Sequence, residues 1–354
     1  MLRVSLITLG DPQRLTGGYL YHRRMAAAAA DQDASVGFGS CPDLVFPVGV
    51  VPARGVLRRA LDADVIVVDS IVAAVLAPWI RSERARPPVV GMLHQPPGGI
   101  EHGPVRSRVQ ARLDKHTYRR ARLLIVASET LAVDLRTHGF PADVVRLVPP
   151  GRDPAPSTGP LPDLRAGRRA AFLCVGNWVP RKGIIDLLEA FARLPPESAT
   201  LHLVGDDRVE PGYAARVRAR LAEPALVERV IVHGPRPAGE VAALYEAADA
   251  FVLPSTKEPY GTVYGEALAA GLPVVGWAAG NLPHLAADGR EGVVLPPGDI
   301  EGLSAALLRL ADDDAYRRHL ADAARRRGAL LPSWDDTARA FFAALREVAG
   351  AGPR

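Results

Sequence analysis

The stretch Ser255–Val294, STKEPYGTVYGEALAAGLPVVGWAAGNLPHLAADGREGVV, decides how this chain is read. An apolar run, Ala250 to Pro254, leads into it as a buried strand, and a loop carrying Glu258-Pro259-Tyr260-Gly261 follows. The pattern then turns helical from Thr262 to about Ala270, stopped by Gly271 and Pro273, before a second apolar strand, Pro273 to Trp277. A strand–loop–helix–strand unit of this kind builds a parallel sheet. Glu258 falls in the loop, and Glu266 lies one turn beyond Thr262 on the same helix face. Between them Gly261 lets the backbone approach a ligand closely, and the free N–H groups of the first helical turn form an anion site. Two carboxylates flanking a helix N-terminus suit a diphosphate on the helix end, with hydroxyl groups beside it donating to the carboxylates.

Outward from this unit, the chain alternates strand and helix. In the first half, strands are expected at Leu2–Leu9, Asp64–Val68, Pro88–Leu93, Arg122–Ala127 and Val144–Val148. Between them lie a polar loop Asp11–Thr16, a helix opened by Gly17-Gly18 and running from Tyr19 to about Ala30, and a helix Ile71–Ile80 capped by Asp69-Ser70. A long basic helix, about Val105 to Arg120, and a helix Glu129–His138 capped by Ser128 complete the set. This is a doubly wound parallel sheet, where ligands sit beyond the carboxyl ends of the strands. Residues 149–169, rich in Pro, Gly and charge, read as an interdomain linker. A second alternating set follows: Ala170–Val175, Asp186–Leu194, Thr200–Val204, Tyr213–Ala222, Val230–Val232 and Glu240–Ala247. The tail, Ser333-Trp334-Asp335-Asp336 and a helix to about Val348, is amphipathic with good cap chemistry.

Gly176-Asn177-Trp178-Val179-Pro180-Arg181-Lys182-Gly183 lies between a buried strand and a helix, where Arg181 and Lys182 could hold phosphates, Arg through its fork and Lys as a point charge. The only lysines are Lys115, Lys182 and Lys257, so lysine at 182 in an otherwise arginine-using chain hints that a compact ammonium is wanted. Asp206-Asp207 after Gly205 reads as a structural turn. His94, at a strand's carboxyl end before Pro96-Pro97-Gly98-Gly99, is either a hydrogen-bonded core residue or a site residue, and the histidines show no metal-ligand spacing.

These motifs identify a resemblance. EPYG, GEALAAGLPVV and DGREGVVLPPGD are similar to the donor-binding signature of the retaining glycosyltransferases of family 4, and VGNWVPRKGIIDLLEAF resembles that family's diphosphate loop. The chain departs from the family pattern at Gly280-Asn281-Leu282-Pro283-His284, where Gly-Gly-x-Pro-Glu is usual. The resemblance implies an α/β protein of the GT-B fold, two doubly wound Rossmann-like domains facing across a cleft. It places an acceptor domain at residues 1–152, a nucleotide-sugar domain at 153–334, and a C-terminal helix, 335–354, crossing back to the first domain. It implies a hexosyltransferase that keeps the donor's anomeric configuration and forms an α-glycosidic bond. A UDP-sugar is favoured over GDP-mannose, and a small-molecule, glycan or lipid-linked hydroxyl compound is the acceptor.

Carried onto this sequence, the family's roles put Glu266 on the ribose hydroxyls and Glu258 on the donor sugar. Arg181 and Lys182 meet the leaving diphosphate, with backbone N–H groups at Thr262 and Val263 beyond Gly261. His94 meets the sugar, and Gly17-Gly18 covers the diphosphate and the acceptor. No Asp-x-Asp motif occurs in a sugar-nucleotide context, so neither a metal nor another cofactor is expected. Other readings of the same fold are a phosphorolytic or epimerising enzyme and a non-catalytic sugar-nucleotide-binding subunit.

At 354 residues two domains are expected, each with its own core. The 43 basic and 39 acidic residues are interspersed, so the net charge of +4 gives no argument for nucleic acid. Cys41 and Cys174 show no redox or metal spacing, MLRVSLITLG reads as a first strand rather than a signal peptide, and the Ile71–Ile80 run is too short to span a bilayer. A cytoplasmic protein is therefore expected. The basic helix, with Arg106, Arg108, Arg112, Lys115, Arg119 and Arg120, is either a solvated surface or a peripheral landing site on anionic lipid at the inner membrane face. No Gly-x-Gly-x-x-Gly follows either domain's first strand, and a Walker loop and a Gly-x-Ser-x-Gly elbow are absent.

Overall fold

The computed structural model describes residues 1–13, 17–44, 48–80, 87–100, 103–152 and 160–350. Parts of three expected segments lie outside the described residues: 14–16 of the loop 11–16, 153–159 of the linker and 351–354 of the C-terminal segment 335–354. The chain forms two compact units, Met1–Gly151 with Pro332–Arg354, and Arg152–Leu331.

The first unit is built on strands β1 (Leu2–Leu9), β2 (Ala34–Cys41), β3 (Val65–Asp69), β4 (Val89–Leu93), β5 (Leu123–Val126) and β6 (Val145–Leu147). They pair in the order β2-β1-β3-β4-β5-β6, all parallel. β3, β4 and β5 are buried along their whole length and read as near-continuous apolar runs, with Asp69 at the end of β3 the one charged residue, as in a sheet covered on both faces. The strand order reverses between β1 and β3, which makes their carboxyl ends the switch point of this sheet.

The second unit contains β7 (Ala170–Val175), β8 (Ala199–Val204), β9 (Val230–Gly234), β10 (Ala250–Val252), β11 (Val274–Trp277) and β12 (Gly292–Leu295). Its order is β12-β11-β10-β7-β8-β9, again all parallel, with the reversal between β7 and β10. Phe172, Phe191, Phe251, Tyr264 and Trp277 fill its core.

Two elements escape the apolar pattern. β2 (ASVGFGSC) is an edge strand of mostly small residues in which only the end residues, Ala34 and Cys41, are buried, and the helix Val50–Arg59 carries Pro52 and Gly55. Pro52 is tolerated because it lies in the first turn, where its missing N–H has no partner to lose. A third differs from expectation. The Ile71–Ile80 run holds only a helix Ala73–Leu76, since a run buried on all sides fixes apolarity but not helix length. The tail helix, Trp334–Gly350, belongs to the first unit. It is capped by Ser333, whose Oγ accepts from Asp336 N at 3.1 Å while Asp336 Oδ2 accepts from Ser333 N at 2.9 Å. Tyr21, in the helix Gly17–Ala28, packs edge-on to Trp334 and Phe341.

Candidate functional site

In the second unit the loops after β7 and β10 are stitched together at the switch point. The segment after β7 makes one tight turn, Pro180–Lys182, and Gly183 at φ +67° then opens the helix Ile184–Ala192. A side chain on Gly183 would place its Cβ 2.1 Å from the Pro254 carbonyl oxygen, so only glycine allows the two loops to meet. The Arg181 carbonyl accepts from Thr256 N and from Ser255 Oγ, each at 2.8 Å.

This contact brings three charged groups to one point. Lys182 Nζ donates to Glu258 Oε2, and Arg181 Nη1 lies 3.6 Å from the same oxygen. Lys182 and Glu258 are both buried, at 7% and 8% exposure. Arg181 Nη1 also donates to the Lys257 carbonyl at 3.2 Å. Two cations facing one carboxylate leave a net positive charge where the strand order reverses. Glu258 is fixed from its backbone side as well. Its carbonyl accepts from Asn281 N at 2.9 Å, and Gly280 is pressed so close that a Cβ there would sit 2.4 Å from the Glu258 oxygen.

Gly261, at φ +75°, starts the helix Thr262–Ala269. Its first turn presents the N–H groups of Thr262 and Val263, and the Thr262 Oγ1 is buried without a hydrogen-bond partner among the described residues. One turn on, the Glu266 carboxylate accepts from Tyr245 OH at 3.1 Å. Burial, then the charge of Glu266, push the Tyr245 hydroxyl well above its ordinary range, so it stays a donor. Asp206 and Asp207 are bound locally, to Arg208 and Arg218 respectively. The structure thus brings together Arg181, Lys182 and Glu258, and sets Gly261, Thr262, Val263 and Glu266 on the adjoining helix.

In the first unit His94 follows β4, and Gly17-Gly18 opens the helix Gly17–Ala28. A Cβ on Gly18 would meet His94 Cδ2 at 3.2 Å, so the helix start lies directly on the imidazole. The His94 ring is 5.2 Å from Tyr21 and 4.7 Å from His22, both edge-on. Asp69 corrects its expected role as a helix cap. It is buried, and its carboxylate accepts from Thr8 Oγ1 and His22 Nε2, each at 2.9 Å, from Ser70 Oγ at 3.2 Å and from Ile71 N at 3.3 Å. Burial alone would push this carboxyl up, but His22, His94 and Thr8 together carry it down to about 2. His22, Asp69 and His94 are the one group among the described residues with metal-ligand spacing. Four donors already fill Asp69, and an ion would have to displace some of them. Sequence reasoning gave His22 no role, because its partner lies 47 residues away and only the fold joins them.

Two doubly wound α/β units, the second with cations and a helix N-terminus at its switch point, define the class as GT-B. Residues 163–327 match the family described as Glycosyl transferases group 1, and residues 3–155 match Glycosyltransferase Family 4. The chain belongs to this glycosyltransferase family. It is 31% identical over 232 residues to a D-inositol 3-phosphate glycosyltransferase of Xylanimonas cellulosilytica, covering 62% of this chain and 55% of the relative. It is 34% identical over 205 residues to a glycogen synthase of Mycobacterium tuberculosis, covering 56% and 46%. The chain spans about half the length of the curated relatives it matches. Among solved structures, a sucrose-phosphate synthase from Thermosynechococcus elongatus superimposes with a TM-score of 0.84 at 23% identity, over 98% of this chain and 99% of that one. Anabaena HepE in complex with UDP-glucose gives 0.79 at 22%, over 98% and 100%.

Proposed function

We propose that this chain transfers a sugar from a nucleoside-diphosphate donor to a hydroxyl acceptor with retention of configuration. The convergence of Arg181, Lys182 and Glu258 beside the Gly261-led helix supports this reading above any other observation. The diphosphate oxygens accept hydrogen bonds from Arg181, Lys182 and the N–H groups of Thr262 and Val263, and the unpartnered Thr262 Oγ1 offers one more donor. Glu266 accepts from the ribose hydroxyls and Glu258 from hydroxyls of the sugar. To His94 we assign a polar contact with the reacting sugar, and to Gly17-Gly18 the backbone approach to diphosphate and acceptor.

In the reaction the bond between the anomeric carbon and the diphosphate oxygen breaks, and the acceptor oxygen bonds to that carbon on the same face. The acceptor's proton passes to a phosphate oxygen, so nucleoside diphosphate and an α-glycoside leave. Glu258, engaged by hydroxyls of the sugar once the diphosphate has drawn Lys182 from it, serves as an acceptor of hydrogen bonds rather than as a nucleophile. The two cations and the helix N-terminus neutralise charge that a divalent ion neutralises in other transferases.

A UDP-sugar is the favoured donor, supported by the complex of HepE with UDP-glucose, while another relative is named as GDP-mannose-dependent. The helix Pro104–Tyr118 leaves Val105, Val109, Arg106, Arg108 and Arg112 exposed, which suits peripheral contact with anionic lipid on the cytoplasmic face at ~1 kcal/mol per basic residue. No helix among the described residues is long and apolar enough to cross a membrane.

The test is a thermal-shift screen with UDP, GDP, ADP and dTDP, followed by turnover of the matching sugar donors against an acceptor panel. An α-linked product from an α-linked donor, formed in the presence of EDTA, is the expected result. A β-linked product, or activity abolished by EDTA and restored by magnesium, overturns the mechanism. Turnover that requires inorganic phosphate points to phosphorolysis, and binding without any turnover to a non-catalytic subunit.

A further inference from the structure

Behind His94 lies a buried pair that the assignments above leave without a task. We propose that His22 and Asp69 are positioning residues, holding the His94 imidazole in one orientation for the sugar. The proposal rests on the reading of His94 as a group that meets the reacting sugar.

Asp69 reaches His94 along two separate paths. Along the first, Ser70 Oγ donates to Asp69 Oδ1 at 3.2 Å and accepts from the His94 N–H at 3.2 Å, which fixes the backbone at the end of β4. Along the second, Asp69 Oδ2 holds His22 Nε2 at 2.9 Å, and the His22 ring packs against His94 at 4.7 Å with the planes 69° apart. Because an ionised carboxylate only accepts, the hydrogen of the His22–Asp69 bond belongs to His22 Nε2. His22 Nδ1 is buried and has no partner among the described residues, so the carboxylate alone sets the ring's orientation. Tyr21 and Gly18 close two further sides of His94, at 5.2 Å between rings and 3.2 Å from a Gly18 Cβ. The carboxylate is thus the common anchor of the ring packed on His94 and of the hydroxyl that holds its backbone.

This arrangement also explains the form in which His94 is presented. Burial and the neighbouring His22 push its imidazole down to about 3, against the pull of Asp69. A neutral ring in a fixed orientation offers one N–H and one lone pair, which is the pattern a sugar hydroxyl can meet from either side.

Two measurements on the full chain decide the matter. Imidazole proton–nitrogen correlation spectra, assigned with His22→Gln and His94→Ala, report each ring directly. In Asp69→Asn both the His22 and the His94 nitrogen signals move, and in Ser70→Ala, where the Asp69–His22 bond survives, the His94 signals move while those of His22 stay. Ser70→Ala keeps the proposal testable should Asp69→Asn fail to fold. With UDP-glucose as donor, Asp69→Asn lowers kcat roughly 10- to 100-fold with KM little changed, by analogy with the loss of a carboxylate that orients a metal-bound imidazole. His94 signals indifferent to both variants overturn the positioning role. A His94→Ala variant that turns over UDP-glucose at the wild-type rate refutes the assignment of His94 itself, and leaves the spectroscopic coupling as a separate result.

Discussion

Replacing Lys182 by Met tests whether Glu258 and Lys182 form one unit. In the resting structure Lys182 Nζ sits on Glu258 Oε2 with both residues more than nine-tenths buried. Removing one partner of such a pair strands the other charge away from water, a cost of about 3–5 kcal/mol. Arg181, 3.6 Å from the same carboxylate, remains as a partial substitute, so the lower end of that range applies to Lys182→Met. With a urea slope of ~2 kcal/mol per molar, about 3 kcal/mol lowers the midpoint by roughly 1.5 M. The double variant Lys182→Met/Glu258→Gln removes both charges and keeps the volume, and it should return to within about 1 kcal/mol of the wild type.

Function separates from stability in that double variant. A hydrogen bond to a charged group contributes ~1.5–3 kcal/mol, so UDP should bind it roughly 10- to 150-fold more weakly than the wild type by calorimetry. A Lys182→Met midpoint equal to the wild type would show that the two charges are not coupled. A stable double variant that binds UDP at full strength would remove Lys182 from the diphosphate site altogether.

Three further outcomes follow from the geometry. Glu258→Gln should bind free UDP more tightly than the wild type, because no carboxylate then competes for Lys182, while turnover of the sugar donor falls; weaker UDP binding refutes the competition. Asp114, which holds Gly98 N at 2.9 Å on the loop after His94, has its carboxyl pushed up to about 7 by burial from an ordinary 3.8. The folded state therefore binds the extra proton, and stability is lost as pH rises through that window, at about 1.4 kcal/mol for each pH unit. Asp114→Asn should accordingly raise the melting temperature at pH 8 and leave it unchanged at pH 4, and equal shifts at both values refute the ionisation argument. Replacing Arg106, Arg108 and Arg112 by Gln should abolish sedimentation with phosphatidylserine vesicles at low salt, whereas retained binding places any membrane contact elsewhere.

Much of the fold was legible because its signals are local. β7 has the ends that its apolar run implies, and Ser128 caps its helix by accepting from Leu131 N at 3.3 Å, as a serine before a helical pattern should. Residues 180–183 and 258–266 could be assigned to one kind of site only once their chemistry was joined to the family resemblance of the motifs that carry them. Their meeting could not be read, since Lys182 and Glu258 are 76 residues apart and join only where β7 and β10 become neighbours. Asp69 misled for the same reason. Beside Ser70 it has the composition of a cap, but Thr8 and His22 come to it from other strands and helices, and a buried carboxylate with several donors outweighs one local bond. β2 went unread because this edge strand buries only its two end residues and so carries neither an apolar run nor an alternating pattern.

Glu258 also explains how the second unit holds two cations ready without a ligand. Arg181 and Lys182 are consecutive residues in the turn that follows β7, and with nothing between them they would repel each other and draw in water. The carboxylate from the next loop lies against both and holds them in place, leaving one net positive charge for a ligand. On the proposed function, an arriving diphosphate would offer the same cations more negative charge than one carboxylate does, and would engage the N–H groups of the Gly261-led helix, which Glu258 does not use. The exchange frees Glu258 oxygens beside the sugar attached to that diphosphate, where hydroxyl groups need acceptors. On that reading one buried side chain would serve first as counter-ion to the two cations and then as a sugar contact, and both duties would require its charge.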